Sequence, residues 1–320
     1  MNKKNFLTMA VVTAIALSLA MTSCSKTDEE VNENSKVELR LSSGVKAQLR
    51  ASFPDTDKQI PEGEKVVVYV DETGGEVKLY ENNVLTAKGD GTLTGGTPMY
   101  FPAIGKNVDI YAFHTNPILT GSYPTTVTHE VESDQSTLAG YAPSDLLYAR
   151  STNVARTTGV VELTFYHLLS KLQVAVKAGN GLEDSDIKGI TIGGTKLQAE
   201  FTLDKITSAP NNIEITAAGS VTPIKIGADV SKNFTDEIEY NDAIIVPQTL
   251  ASGTTFITVH LSGTDLFYRL PSEITFESKK IYKYQLTANL TGLTLTTEIA
   301  DWVPVGSGPV EGDATPDNEE

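Results

Sequence analysis

The sequence predicts an all-β protein with two β-sandwich domains in tandem, and three observations support this prediction. The 320 residues include 25 glycines and 14 prolines, which favour short segments separated by turns. These segments alternate apolar and polar residues or form brief apolar runs, as strands do. No long segment combines helical spacing with helix-forming residues, and the length exceeds what one small core usually contains. Many strands, little helix and two cores are therefore expected.

The first 23 residues are predicted to be a lipoprotein signal peptide. Lys3 and Lys4 precede an apolar segment at residues 6–21, which is too short for a comfortable membrane span. Cys24, the only cysteine, follows small residues and resembles the lipobox cysteine of bacterial lipoproteins, whose thiol is acylated when the leader is removed. The alternative is an incidental residue in a discarded leader. A lone thiol forms neither an internal disulfide nor a multi-cysteine metal site.

The chain after Cys24 is acidic. Residues 25–30, SKTDEE, resemble the surface-export signal of some Gram-negative lipoproteins, and a solvated tether is the equal alternative. We assign residues 24–50 to an acidic tether and a first strand. The formal charge is −16, and loss of residues 1–23 with their two lysines makes it −18. Such a charge argues against nucleic acid and anionic lipid as partners.

The first strand is predicted at residues 36–41, where Val37, Leu39 and Leu41 alternate with polar residues, as in a half-buried strand. Residues 65–70 form a continuous apolar run, which is expected of a strand covered on both faces. One short helix is expected at residues 141–150, with Ser144 as a possible cap. Five later segments continue the strand pattern: residues 108–113, 160–176, 243–250, 255–261 and 281–290.

The clearest internal seam lies at residues 177–186, where glycine and acidic residues separate two apolar stretches. A boundary there gives an N-terminal sandwich at residues 51–180 and a C-terminal sandwich at residues 181–305. Residues 306–320 are too polar to bury, so we expect a flexible acidic tail.

Catalytic motifs are missing from the sequence. It has no nucleophile elbow, no phosphate-binding glycine loop and no calcium loop. Acidic pairs such as Glu183-Asp184 fall in predicted loops. The four histidines are far apart, and the two inside apolar strands, at 167 and 260, are expected to be hydrogen-bonded structural residues: His114, His129, His167 and His260. We therefore predict no enzymatic activity, no cofactor and no metal site.

A series of motifs resembles the fimbrillins of Bacteroidia, the subunits of type V pili. They follow an acylated cysteine and an early Arg-Ala pair in the order typical of that family, and they extend over nearly the whole chain after the leader. The motifs are DLLYA at 145–149, VELTFYHLLSKLQVAV at 161–176, VPQTL at 246–250, FYRLP at 267–271, KKIYKYQLTANLTGLTL at 279–295 and IADW at 299–302.

This resemblance implies two tandem sandwiches of transthyretin-like, Greek-key topology, and a lipoprotein that is exported and acylated on its way to the outer membrane. It also implies cleavage by a trypsin-like, arginine-specific protease. Arg50-Ala51 is the preferred bond because it follows the first strand in a loop-like stretch, and Arg40 is the runner-up. Loss of the strand carrying Val37, Leu39 and Leu41 would open a groove.

The resemblance further implies that a C-terminal strand of another subunit fills this groove. The candidate donor residues are Leu293, Leu295, Ile299 and Trp302. The alternative is that these residues form an ordinary last strand of the C-terminal domain, and the donor role is better supported beyond Ile299.

We expect, first, a structural fimbrial subunit that polymerises with other subunits, supports adhesion and lies in the shaft. The second hypothesis is a glycan-binding surface lipoprotein of the outer membrane, and the third is a hydrolase with a carboxylate pair assembled by folding. Exposed aromatic side chains would favour the second.

Overall fold

Short strands make up most of the structure, a computed structural model that describes residues 36–43, 59–74, 77–204, 208–235 and 238–302. In chain order the strands of these ranges are β1 Arg40–Ser43, β2 Lys65–Glu72, β3 Lys78–Ala87, β4 Leu93–Thr94, β5 Val108–His114, β6 Thr126–Glu130, β7 Leu147–Val154, β8 Val160–Leu163, β9 Phe165–His167, β10 Ser170–Ala178, β11 Ile187–Ile192, β12 Lys196–Thr202, β13 Thr216–Val221, β14 Ile224–Ile226, β15 Asn241–Ile245, β16 Gln248–Leu250, β17 Thr255–Leu261, β18 Asp265–Arg269, β19 Ile274–Phe276, β20 Lys280–Asn289 and β21 Gly292–Asp301. The predicted all-β class is confirmed.

The strand β2 is central to a six-stranded sheet with the order β4-β3-β2-β5-β7-β9. Its side chains alternate between two buried clusters: Val66, Val68 and Val70 face one, whereas Val67 and Tyr69 face the other. Both faces of the sheet are therefore covered, as the continuous apolar run predicts.

The first core lies under one face of this sheet and is closed by the two-stranded pair β1-β8. Leu39, just before β1, and Leu41 of β1 point into it, as do Val161 and Leu163 of β8. The closing layer therefore combines a strand from the start of the described chain with one about 120 residues later.

The second core lies between two four-stranded sheets, β15-β10-β20-β21 and β14-β11-β17-β18. Leu172 and Val174 of the first sheet share one apolar cluster with Ile190 and Val259 of the second. Alternation along each strand supplies these side chains, which is the arrangement of a β-sandwich.

The proposed division of the chain at residue 180 stays a prediction. The strand β10 precedes that position but pairs with β15 and β20, which follow it. The strand β6 also precedes it but pairs with β12, and β12 pairs with β13. Two sheets therefore draw strands from both sides of the predicted boundary.

The predicted helix at residues 141–150 is wrong in position. The α-helix α1 is Leu138–Tyr141, a 3-10 turn follows at Ala142–Ser144, and the chain enters β7 at Leu147. Ser144 caps no helix start: its hydroxyl donates to the Gly140 carbonyl and accepts from the Glu132 N–H, at 2.7 and 2.9 Å. The apolar residues after it pair with β5 and β9, and this pairing outweighs their helical propensity.

The stretch 160–176 forms three strands, β8, β9 and β10, which lie in three different sheets. Other predicted segments match closely, since residues 255–261 coincide with β17 and residues 108–113 lie within β5. Within the described ranges, no helix has the length and apolar character needed to cross a membrane.

Candidate functional site

The strand β1, taken from here on together with the preceding residues 36–39, presents its apolar face to the first core. Leu39 and Leu41 are 3% and 4% exposed, and Val37 packs against the same cluster. Arg40 lies between them with its side chain exposed, and its guanidinium donates a hydrogen bond to the Thr158 carbonyl. The sequence-predicted alternation is therefore present, with the leucines inside and the arginine outside.

Both edges of β1 are hydrogen-bonded to other segments. One edge runs parallel to β8, with Arg40 opposite Val160 and Ser43 opposite Leu163. The other edge faces residues 91–101 in the antiparallel sense. Its hydrogen bonds run from the Leu39 N–H to the Met99 carbonyl, from the Phe101 N–H to the Val37 carbonyl and from the Ser43 N–H to the Gly91 carbonyl, at 2.8, 2.9 and 2.8 Å. The strand β1 is thus inserted between two segments that are remote from it in sequence.

The segment that faces β1 bulges away from it. Antiparallel bridges join Glu38 to Tyr100 and Ser42 to Thr92. A regular ladder that starts from Glu38 and Tyr100 would place Ser42 opposite residue 96, so the facing segment contains four extra residues. We call residues 93–99 the bulge.

A groove of about 620 Å³ lies between β1 and the bulge, and we call it the β1 groove. Polar residues of the β1 segment and of the bulge also line it, among them Glu38, Ser42 and Thr97. The apolar side chains that line it are Leu39, Leu41, Leu85, Leu93, Met99 and Val160.

The strand β21 contains the predicted donor residues and lies at the edge of its sheet, where it pairs with β20. Leu293 and Leu295 are half-buried and pack against the second core. Ile299 is 60% exposed. The first two residues therefore pack as an ordinary last strand would, and Ile299 does not.

Trp302, the only tryptophan, ends the described chain in a buried position with 5% exposure. Its ring stacks on His167 of β9, with centroids 3.8 Å apart and planes at 11°. Its backbone N–H donates to the Lys279 carbonyl at 2.6 Å. The end of β21 is therefore fixed to the six-stranded sheet as well as to its own sheet.

A buried ion pair lies beside Trp302. The Lys171 Nζ is 3.2 Å from the Asp242 Oδ2, and neither side chain has any exposed surface. The same Nζ lies 5.8 Å from the centroids of the Trp302 and Tyr141 rings, within range of a cation–π contact. Removing one partner of such a pair would leave an uncompensated charge in the core.

Three of the four histidines converge on residues 144–145. The His129 Nε2 donates to the Ser144 carbonyl at 2.9 Å, the His114 Nδ1 donates to the Asp145 carbonyl at 2.6 Å, and the His167 Nδ1 lies 2.9 Å from the Asp145 carboxylate. They fix the turn between α1 and β7, which is a structural role.

The environments of two histidines shift their pKa values in opposite directions. Burial lowers the pKa of His129 to about 4, and its Nδ1 accepts a hydrogen bond from the Asn116 N–H, which suits the neutral ring. Burial also opposes the charge on His114, but the Glu64 carboxylate 3.0 Å from its Nε2 outweighs this, so the pKa of His114 is raised.

The remaining predicted histidine, His260, is part-exposed, with Nδ1 3.0 Å from the Asp265 carboxylate. Among the described residues, no group of three or more His, Cys, Asp or Glu side chains is arranged to hold a metal ion.

Several predicted site residues lie outside the described residues. These are the leader at 1–23, Cys24, the cleavage pair Arg50 and Ala51, and the tail at 306–320. The range between β1 and residue 59, which contains Arg50, is also not described.

Three features were not predicted from the sequence: the bulge, the parallel pairing of β1 with β8, and the stacking of Trp302 on His167. The glycine pair Gly95-Gly96 could have indicated the bulge, because glycine readily adopts positive φ. Both residues do so in the structure, at 83° and 71°. No local signal could have paired β1 with β8 or Trp302 with His167, since these contacts join distant segments.

The fold and site define a class: an all-β protein of packed sheets whose first strand is inserted between remote segments and whose last described strand lies at a sheet edge. The chain belongs to the fimbrillin-like family, whose model matches residues 50–302. Membership supports a structural role in a fimbria or in adhesion at the cell surface, in assembly with other fimbrial subunits.

Three known proteins illustrate the relationship. The chain is 24% identical to the "Putative fimbrium subunit Fim1C" of Bacteroides uniformis over 95% of this chain and 98% of that protein. A solved "putative cell adhesion protein" from Bacteroides uniformis has 20% identity and a TM-score of 0.61, with 84% of this chain and 98% of that one covered. A similarly described protein from Bacteroides ovatus has 17% identity and a TM-score of 0.58 over the same shares. The two structures share the fold of this chain.

Proposed function

We propose that this chain is a shaft subunit of a cell-surface fimbria that polymerises by strand exchange. It is exported as a lipoprotein acylated at Cys24 and activated by cleavage after Arg50. Cleavage frees β1, and a C-terminal strand of another subunit takes its place. The observation that carries this proposal is the position of β1, which completes a core between two segments remote in sequence.

Removal of β1 would expose two kinds of surface at once. The core would lose Leu39 and Leu41, each of which contributes about 1.5–3 kcal/mol when fully buried. The backbone groups of β8 and of residues 91–101 would lose their partners along the same cleft. An apolar cleft lined by unpaired backbone groups is a template for strand addition.

The position of Arg50 suits a cleavage that releases β1 intact. The described part of β1 ends at Ser43, so a cut at Arg50 follows the strand. A cut at Arg40 would instead divide the paired strand, whose backbone is hydrogen-bonded on both edges and hence a poor protease substrate. The family match also begins at residue 50 and does not include β1.

The strand β21 is the donor that the geometry supports best. It lies at a sheet edge. Leu293, Leu295 and Ile299 are two and four residues apart, so they share one face of the strand, as Val37, Leu39 and Leu41 do. Burial of the Trp302 end of β21 is partly destabilising, because Trp302 Nε1 and His167 Nε2 are buried with no hydrogen-bond partner among the described residues. Each unmet polar group costs about 1–3 kcal/mol, which favours release.

The glycan-binding alternative gains little from the structure. Sugar stacking requires exposed ring faces, but most strand tyrosines have less than 5% exposure and pack in the cores: Tyr69, Tyr111, Tyr148, Tyr282 and Tyr284.

The test is the Arg50→Ala variant expressed in a cell that assembles the wild-type chain into fibres. We expect a folded, lipidated monomer that keeps β1 and forms no fibre, because the groove never opens. Mass spectrometry of the surface protein gives its first residue, and electron microscopy shows whether fibres form. Normal fibres from Arg50→Ala would exclude this bond.

Arg40→Gln is the matched control. Arg40 is exposed in β1, so its replacement should leave the fold, the cut after Arg50 and the fibres unchanged. Loss of fibres in Arg40→Gln together with normal fibres in Arg50→Ala would move the cleavage site to Arg40.

A further inference from the structure

We propose that the β1 groove is the entry point for the donor strand of a second subunit, so that the donor binds beside β1 before β1 leaves. This inference rests on the proposed function and adds the order of its steps. Ile299 of the incoming β21 is the side chain that enters first.

The bulge that forms the groove is held open by specific contacts. The Asn83 side chain of β3 is buried, its Nδ2 donates to the Thr97 carbonyl, and its Oδ1 accepts from the Thr97 N–H, both at 2.8 Å. A Cβ added to Gly96 would lie 2.5 Å from the Asn83 Oδ1, so this position accepts only glycine. The bulge is therefore a built feature, and residues 93–98 form its loop between the contacts that Thr92 and Met99 make with the β1 segment.

The groove has the apolar lining and the volume to bind one apolar side chain. Leu85, Leu93 and Met99 line it together with Leu39 and Leu41, and all five belong to the first core. Its volume of about 620 Å³ exceeds that of any single side chain. Binding there extends the first core outward without displacing the hydrogen bonds that β1 makes at Leu39 and Ser43.

The occupant is identified by what β21 exposes before any exchange. Ile299 is 60% exposed in its own subunit, whereas Leu293 and Leu295 are packed against the second core. Ile299 can therefore bind a second subunit while β21 is still paired with β20. The two leucines follow only after β21 separates from β20, residue by residue.

Stepwise replacement has a physical advantage over departure of β1 first. If β1 left first, the whole cleft and its unpaired backbone would face water together, which is the most costly state on the path. When the donor is already in the groove, its side chains and backbone take over each position as soon as β1 vacates it. The rate of β1 release must then rise with donor concentration.

Release of β1 can be followed with a fluorescent dye attached to the protein that comprises residues 24–320. Lys36→Cys in a Cys24→Ser background places one thiol next to β1, and an arginine-specific protease makes the cut, which is confirmed by mass. The probe ligand is a peptide of residues 292–302. We expect the release rate to rise about tenfold over a tenfold range of peptide concentration.

Two outcomes separate this inference from the proposed function. Release at a rate independent of peptide overturns the inference and leaves strand exchange standing. Retention of β1 at every peptide concentration contradicts strand exchange itself.

A filled groove gives the second test. Thr97 is exposed and lines the groove, so Thr97→Trp should fill it while the backbone hydrogen bonds with Asn83 remain. We expect release about fivefold slower or more, with the same final extent. Thr120→Trp, at an exposed position outside the groove, should match the unsubstituted chain. Equal rates for both variants would exclude the groove as the entry point.

Discussion

At the scale of single residues, polar groups fix the backbone at places where strands alone would not. The turn at residues 144–145 is held by His114, His129 and His167, and the bulge is held by Asn83. These side chains are buried, so each hydrogen bond replaces water that the group has given up. The protonation states of His114 and His129, whose pKa values are shifted, therefore affect stability.

His129 should make the fold sensitive to mild acid. Its pKa is lowered by burial to about 4 in the folded chain, compared with about 6.5 when unfolded. Below pH 6.5 the unfolded state gains a proton that the folded state does not bind, so the free energy of unfolding falls as the pH drops from about 6.5 to about 4. Between pH 7 and pH 5 the loss from this group should be about 2 kcal/mol.

Urea unfolding of the wild-type chain and of His129→Gln at pH 7 and pH 5 measures this loss. The variant should lose about 2 kcal/mol less than the wild type over that interval. His114 acts in the opposite sense: its raised pKa stabilises the fold fully below the unfolded pKa, and this contribution is lost as the pH rises through the folded pKa. Equal acid-induced losses in the two chains would show that His129 is not the sensitive group.

At the scale of elements, local pattern and long-range pairing differ in how well they can be predicted. The alternation in residues 36–41 correctly places Leu39 and Leu41 on one buried face, because side-chain direction in a strand depends only on its period of two. In the run at residues 65–70, residues 66–70 are likewise buried, on both faces of the sheet.

The partners of these strands could not be predicted, because pairing depends on contacts between remote segments. Nothing near β1 indicates β8, and nothing in residues 160–176 indicates that one apolar stretch divides among three sheets. The predicted helix failed for the same reason, since β5 and β9 draw residues 147–149 into a sheet.

The exposed position of Ile299 allows the donor role of β21 to be tested without disturbing the monomer. Ile299→Asp should change the free energy of unfolding by no more than about 0.5 kcal/mol, because the side chain is mostly in water. In the fibre the same carboxylate would have to enter an apolar groove, so polymerisation should be lost. Urea unfolding and electron microscopy of the cleaved protein supply the two measurements.

Leu290→Asp is the control for this change. Leu290 is 62% exposed and follows β20, just before β21. The Leu290→Asp substitution should change neither the free energy of unfolding nor the formation of fibres. Fibres of normal length from Ile299→Asp would remove Ile299 from the donor strand.

At the scale of the whole molecule, the last strand connects the two parts of the fold. The strand β21 pairs with β20, and Trp302 at its end stacks on His167 of the six-stranded sheet. The proposed exchange of β21 would have to undo both interactions, and the fluorescence of Trp302 would report the loss of its contact with His167.

The single tryptophan should change its emission as fibres grow. In the free subunit the ring is 5% exposed and stacked on His167, so departure of β21 should shift its emission to longer wavelength. The shift should follow the same time course as light scattering in the wild-type chain, and Arg50→Ala should show neither change. Fibre growth with constant emission would mean that the end of β21 stays docked.

The proposed exchange joins two different surfaces of the subunit, the cleft beside β8 and the strand β21, and this gives the assembly a direction. The cleft that β1 fills lies between β8 and residues 91–101, whereas β21 lies at the edge of another sheet, so acceptor and donor are different patches. If subunits join in this way, every joint repeats one head-to-tail contact, which differs from the self-complementary contact of a two-fold pair. Such a polymer has two chemically distinct ends: one has an empty β1 cleft, and the other has a β21 strand that has not been exchanged. Further subunits can therefore be added by a different contact at each end.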